Sequence, residues 1–440
     1  MKKMPHGVTP RLKPLPPKRA IDISILDVGT TKIGCLIGRL RPIETGPFLP
    51  GRTHRIEVLG IGHQRSRGIK AGAVVDMEAA EQSIRLAVDA AERMADARIE
   101  SLIVTVSAGR LSSEHYHATV PVHGRPVSES DIQRVLGAGS SHVVKPGRSV
   151  LHSIPVGYAL EGARGIRDPR GMVGMELGLD MHVVTADAAP VRNLMLCIER
   201  CHLSVQTLVA APYASGLSVL ADDEAEIGVT LVDMGGGTTT VASFSRGQFV
   251  HADAIALGGH HVTLDIARGL STTIDHAERL KTLHANVFPG MSSENEMIDI
   301  TPVGEPDGEI AHHVPKSQLI RIVKPRVEET LELVRDRLRA SGHANEAGKR
   351  VVLTGGACQL TGLGELAAKI LGRQVRVGRP LGIKGLPEAA KGPSFAAAVG
   401  LLVYPQRAAE EHFDPVRRTM RSTGTNGYFS RVGQWLKESF

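Results

Sequence analysis

Two short stretches end an apolar run in an aspartate and a glycine-threonine turn. They are residues 25–33 (I-L-D-V-G-T-T-K-I) and 231–241 (L-V-D-M-G-G-G-T-T-T-V). A tight turn of this kind presents free backbone N–H groups as a nest for an anion, and glycine lets the backbone approach phosphate oxygens. Gly29, Thr30, Thr31 and Lys32 in the first copy, and Gly235, Gly236, Gly237, Thr238 and Thr239 in the second, are therefore the candidate phosphate contacts. Asp27 and Asp233 emerge at the strand ends, where each can hold a hydrated magnesium ion through water. Either turn alone is a common hairpin, but two copies in one chain point to a nucleotide triphosphate held between two related halves.

Two further groups fit the same cleft. Residues 351–358 (V-V-L-T-G-G-A-C) place Gly355, Gly356 and Ala357 after an apolar strand, where small side chains leave room for an adenosine. Glu278 and Lys281 stand three residues apart on a helical stretch and share a face, suited to ribose hydroxyls and the adenine, although a solvated ion pair reads the same way. ATP and magnesium are the expected cofactors. Residues 362–367 (G-L-G-E-L-A) mimic a dinucleotide fingerprint but begin several residues beyond their strand, which excludes that role. No Walker A sequence, His-Glu-x-x-His or nucleophile elbow occurs.

The elements that position these residues follow from periodicity. Short apolar strands begin at Ile21, and a third spans residues 55–62. Asp76 is expected to cap a helix to about Met94, followed by a strand over 101–107; Asp187 is expected to cap another helix. A long amphipathic helix covers residues 317–339, with Pro325 expected to kink it.

With 440 residues the chain can fold as two to four units. Its net charge of +6 is matched by Lys2, Lys3, Arg11, Lys13, Lys18 and Arg19, which precede the first acid, so the remainder is neutral and a nucleic-acid partner is not expected. Residues 1–20 read as a disordered, basic, proline-rich tail. No run of eighteen apolar residues, no secretory signal and only four cysteines occur; Cys197 and Cys201 read as buried apolar residues. Together these point to a cytoplasmic location.

The order of two phosphate hairpins, a Glu-x-x-Lys helix and a strand ending in T-G-G resembles the actin, sugar-kinase and heat-shock-chaperone superfamily. More narrowly, the chain resembles the FtsA family of bacterial cell-division proteins over residues 20–440. The resemblance is carried by 27–32 (D-V-G-T-T-K), 68–76 (G-I-K-A-G-A-V-V-D), 150–155 (V-L-H-S-I-P), 165–174 (G-I-R-D-P-R-G-M-V-G), 233–239, 277–281 and 431–440 (R-V-G-Q-W-L-K-E-S-F). It implies an α/β, two-lobed actin-like fold with an FtsA-type α+β insert. Domain IA would comprise residues 21–68, 181–222 and 395–405, and domain IC would be the insert 69–180. Domain IIA would comprise 223–261 and 321–394, and domain IIB 262–320. The implied partners are the FtsZ C-terminal tail at domain IIB, further copies in a filament, membrane lipids and other division proteins.

Ala211 stands where many hydrolysing superfamily members place a Glu or Gln that orients the attacking water, so at most slow ATPase activity is expected. At the end of the chain a polar linker, 406–426, precedes residues 427–440, which hold the only Trp. Phe429, Val432, Trp435, Leu436 and Phe440 fall on one helical stripe, as in an amphipathic helix lying on a membrane. The combined expectation is an ATP-binding adaptor that polymerises on the cytoplasmic face of the inner membrane at the septum, tethers the FtsZ ring and recruits later division proteins. A small-molecule kinase and a pilus-assembly adaptor of the PilM type are the alternatives on the same fold.

Overall fold

The computed structural model describes residues 11–12, 14–43, 51–141, 145–288, 296–304, 312–343 and 348–412. The expected C-terminal helix, with Phe429, Val432, Trp435, Leu436 and Phe440, lies outside the described residues, as do most of the linker and residues 1–10. Two compact units are present, one built from residues 1–114, 146–152 and 182–410, the other mainly from 115–145 and 153–181.

The larger unit contains two sheets with the same plan. In the first, Ile21–Val28, Lys32–Pro42 and His54–Arg65 form an antiparallel meander; Ser101–Val106 and Ser204–Ala210 extend it in parallel beside Ile21–Val28. In the second, Val229–Met234, Thr239–Ser245 and Gln248–Ile255 form the meander, with Arg350–Thr354 and Gln374–Val377 added in parallel. The expected duplication is therefore a duplication of strand order. Central strands such as Ser101–Val106 are buried along nearly their whole length, which is why their sequences are apolar runs rather than alternations.

Helices cover these sheets. Asp76 caps Met77–Ala95 by accepting the Ala79 N–H at 3.1 Å, as its position predicts. Asp187 precedes the helix Ala188–Arg200 but makes no side-chain cap; its carboxylate pairs with Arg148 at 2.6 Å instead. A charged partner outcompetes a backbone N–H for the same oxygen. The helix Ala396–Val403 packs on Ala211–Val219, and only a glycine at 400 permits the approach, since a Cβ there would lie 1.7 Å from the Ala214 carbonyl oxygen. The helix Lys316–Ala340 continues through Pro325, and its apolar face, including Val323, Val327, Leu331 and Val334, enters the core of the second half.

Three structural placements bear on the expected organisation. Helix Met77–Ala95 and strand Ser101–Val106 belong to the first sheet's half, so the separate unit starts near His115 rather than at residue 69. Strand Ile383–Lys384, expected in the second half, pairs with His54–Arg65 on the edge of the first sheet. Residues 14–20 are not free along their length, because the Pro16 carbonyl oxygen lies 3.3 Å from His54 Nε2.

The smaller unit has its own core. Ile132, Val135 and Leu136 from helix Glu129–Gly139 pack with Leu160, Leu177, Leu179 and Met181. The fully buried Asp131 is neutralised there by Arg125 and Arg134.

Candidate functional site

The site lies in the larger unit and begins with the two hairpins. In each, the glycine two residues after the aspartate closes the turn: Gly29 N–H donates to the Lys32 carbonyl at 3.0 Å, and Gly235 N–H to the Thr238 carbonyl at 2.9 Å. The tips face one another across the cleft. A Cβ on Gly236 would lie 2.5 Å from Thr31 Cγ2, and one on Gly237 would lie 2.2 Å from Thr30 Oγ1. Glycine is needed at these positions because the opposite hairpin occupies the space a side chain would take.

Asp27 and Asp233 stand at the floor between the tips. Thr105 Oγ1 donates to Asp27 Oδ1 at 2.8 Å, and Ser215 Oγ donates to Asp233 Oδ2. Burial raises the pKa of both. Asp233 is pushed up to about 6, with the Ser215 hydrogen bond opposing and the charge of Asp27 adding to the rise. Asp27 rises through burial against Lys32 and Thr105. Burial pulls the Lys32 ammonium down to about 8, against the attraction of Asp27 and Asp233. Lys32 Nζ donates to the Ser394 carbonyl at 2.9 Å and sits 3.2 Å from the centre of the Phe395 ring. Two desolvated carboxylates beside one desolvated cation form a floor suited to additional positive charge.

Among the described residues no group of three or more His, Cys, Asp or Glu side chains forms a metal cage. The donor set of Asp27 and Asp233 suits magnesium, which keeps most of its waters and binds through one or two carboxylates plus phosphates.

An open space above this floor is lined by Asp27, both turns, Ala211, Gly355 and Ser394. It adjoins a second, larger space at Thr31, Gly236 and Gly356, lined by Gly258, Glu278, Lys281, Val327, Thr330 and Ala357. The first is the smaller and is ringed by the glycine-rich turns, as phosphates need, and the second is the larger and carries Glu278 and Lys281 on its wall, as a nucleoside needs. Its roof is the start of helix Gly259–Gly269, whose Gly259 and His260 N–H groups donate to the carbonyls of Gly235 and Gly236 at 2.9 and 2.7 Å.

Glu278 and Lys281 form a half-buried ion pair in which Lys281 is enclosed and Glu278 stays 48% exposed. Lys281 Nζ lies 2.7 Å from Glu278 Oε2 and donates to Thr263 Oγ1 at 2.9 Å, and its side chain is only 18% exposed. Burial raises the Glu278 pKa, but the hydrogen bonds from Lys281 and Thr263 outweigh it and hold the carboxyl below its usual range. Gly355 has φ +85°, and a Cβ there would lie 2.3 Å from Asp233 Oδ1. The structure thus brings every nucleotide-site residue expected from the sequence into or beside one cleft, except that Thr239 is buried behind it, donating to the Leu257 carbonyl at 2.9 Å. Thr105, Ser215, Thr263, Ser394 and Phe395 complete the surroundings without any local sequence signal.

The four cysteines are buried structural residues. Cys35, Cys197, Cys201 and Cys358 are free and buried, and burial pushes the thiols of Cys35, Cys197 and Cys358 up to about 12, far from reactivity. No helix among the described residues is long and apolar enough to cross a membrane.

Comparison with known proteins adds the family. A family model described as cell division protein FtsA matches residues 230–400, and one described as the SHS2 domain inserted in FtsA matches 108–185. Curated proteins named cell division protein FtsA are 56% identical in Rhizobium meliloti (strain 1021), covering 98% of each chain, and 54% identical in Agrobacterium fabrum (strain C58), covering 99% of this chain and 98% of the relative. Among solved structures, the PilM-PilN type IV pilus biogenesis complex is similar in fold, with a TM-score of 0.57 at 15% identity over 88% of this chain and 98% of the other.

Proposed function

The chain belongs to the FtsA family of cell-division proteins and has the actin-like fold with the family's inserted domain; on that premise we propose that it is an ATP-dependent membrane adaptor of the division machinery. One observation carries the nucleotide part of this reading: the paired hairpins set Asp27 and Asp233 on either side of one floor, beneath a cleft that continues to Glu278 and Lys281. Glycine-lined turns take the phosphates, and the second space takes the nucleoside. Asp27 and Asp233 would hold a magnesium ion, which would supply positive charge to offset that of the phosphates. Lys32, held by the Ser394 carbonyl, adds a nearby point charge.

Ala211 lines the phosphate space and presents only a methyl group. With no carboxylate or amide there to orient water, the nucleotide acts mainly as a conformational switch rather than a fuel. ATP contacts both halves, so it favours the arrangement in which they are closed, and that arrangement is the one that assembles. The domain bearing residues 262–320 receives the FtsZ tail, residues 427–440 lie on the cytoplasmic face of the inner membrane, and many such helices displayed by one filament bind cooperatively.

The test is co-sedimentation of the full chain with anionic vesicles and an FtsZ tail peptide, with ATP and magnesium or with EDTA. Joint pelleting of peptide and protein that increases with ATP and magnesium supports the reading. Rapid ATP turnover stimulated by a small hydroxylated substrate, with no vesicle binding, would favour the kinase alternative.

A further inference from the structure

Asp27 and Asp233 each lie beside a parallel strand, and the two neighbours have equivalent threonines. Continuing the register from Leu26 opposite Val104 places Thr105 beside Asp27; Thr354 pairs directly with Asp233. Both threonines are buried. Their hydroxyls nevertheless do different things. Thr105 Oγ1 donates to the aspartate of its own half. Thr354 Oγ1 turns away, 3.2 Å from the Gly378 carbonyl oxygen and 3.3 Å from that of Pro393.

The partner that Asp233 lacks in its own half comes from the other. Ser215 is fully buried on helix Ala211–Val219, which follows the first sheet's strand Ser204–Ala210, and its hydroxyl donates to Asp233 Oδ2. The backbone at Gly355 lies close to the other oxygen, Oδ1. The carboxylate is therefore confined on one side by the turn of its own half and on the other by a hydroxyl of the opposite half. A hydrogen bond donated to the ionised form keeps a desolvated carboxylate charged and fixes its rotamer, which is the service that outer partners give metal-binding groups.

We propose that Ser215 is a positioning residue for Asp233, and that through it the hold on magnesium depends on how the two halves are placed. This rests on the magnesium-nucleotide reading of the cleft. Asp27 takes its hydroxyl partner from its own half, whereas Asp233 takes its partner from the other. A motion that carries the Ala211–Val219 helix away from Asp233 removes that carboxylate's hydroxyl partner and loosens the ion's site.

The experiment is titration of the full-length chain with ATP in magnesium and in EDTA, for the natural protein, Ser215→Ala, Ser215→Cys and Thr354→Val. Ser215→Ala is expected to weaken ATP binding in magnesium by about 10- to 100-fold, the usual cost of losing an outer partner, while leaving binding in EDTA unchanged. Ser215→Cys, similar in shape with a weaker donor, should fall between, and it carries the test if the alanine variant does not fold. Thr354→Val should lower the melting temperature but keep the natural ratio of magnesium to EDTA affinities. Equal losses in both conditions at position 215, no loss at either, or the same ratio change in Thr354→Val would overturn the proposal. Failure of the natural chain to bind ATP more tightly with magnesium would instead remove the cofactor reading beneath it.

Discussion

Arg65 Nη2 lies 2.7 Å from Asp275 Oδ1, so an ion pair joins the end of the first sheet's strand His54–Arg65 to the helix Ile274–His284 that carries Glu278 and Lys281. The pair spans the two halves from the nucleoside side of the cleft. Its side chains are 71% and 74% exposed, which makes it a weak, salt-sensitive clasp rather than a lock. Arg65→Asp should speed release of a fluorescent ATP analogue about two- to fivefold at low salt, the range for an exposed pair. The double exchange Arg65→Asp with Asp275→Arg should restore the slow rate, and all three proteins should converge in high salt. Stopped-flow displacement checks this; failure of the exchange to rescue would show that Arg65 acts otherwise.

Gly236→Asp should abolish measurable ATP binding. The new Cβ meets Thr31 at 2.5 Å, and the added carboxylate repels phosphate. Calorimetric titration, with circular dichroism confirming the fold, is the measurement; unchanged affinity would refute the placement of phosphates between the hairpins.

The cleft floor also sets a pH dependence of the nucleotide-free protein. Asp233 rises from 3.8 to about 6 on folding, so between those values the folded state binds more protons than the unfolded one and stability falls as pH rises. Asp233→Asn removes that loss. In EDTA its melting temperature relative to the natural protein should climb from pH 4 to pH 6 and level off above, while magnesium-supported ATP binding is lost. A constant difference across that window would show that Asp233 is not held against ionisation.

Turnover of ATP by the natural chain should stay below about one per second, the low edge of ordinary enzyme rates. Ala211→Glu, placing a water-orienting group on the wall of the phosphate space, should increase it. Phosphate release in a coupled assay decides the matter, and a fast natural enzyme would contradict the switch reading.

Trp435→Glu sets a charge inside the apolar stripe of residues 427–440. The variant should no longer float with vesicles yet bind ATP as before. Flotation equal to that of the natural chain would place the stripe against protein rather than lipid.

The sequence by itself determined the parts of the site whose chemistry is local. A phosphate cradle needs contiguous N–H groups and glycines, so Asp27 to Lys32 and Asp233 to Thr238 were legible as written, and Glu278 with Lys281 followed from helical spacing. The family followed because those segments occur in a fixed order. Only the tertiary structure decided what holds the chemistry in place. Thr105 reaches Asp27 across 78 residues, Ser215 reaches Asp233 across 18, and the Ser394 carbonyl meets Lys32 across 362. A lone hydroxyl carries no periodicity, and which carboxylate it meets depends on which strands become neighbours. The same reason explains Ser101–Val106, expected in the insert, and Ile383–Lys384, expected in the second half. Their apolar residues declare a strand, but hydrophobic burial is non-directional and does not name the sheet. Pairing does, once the long-range contacts of the whole half are made.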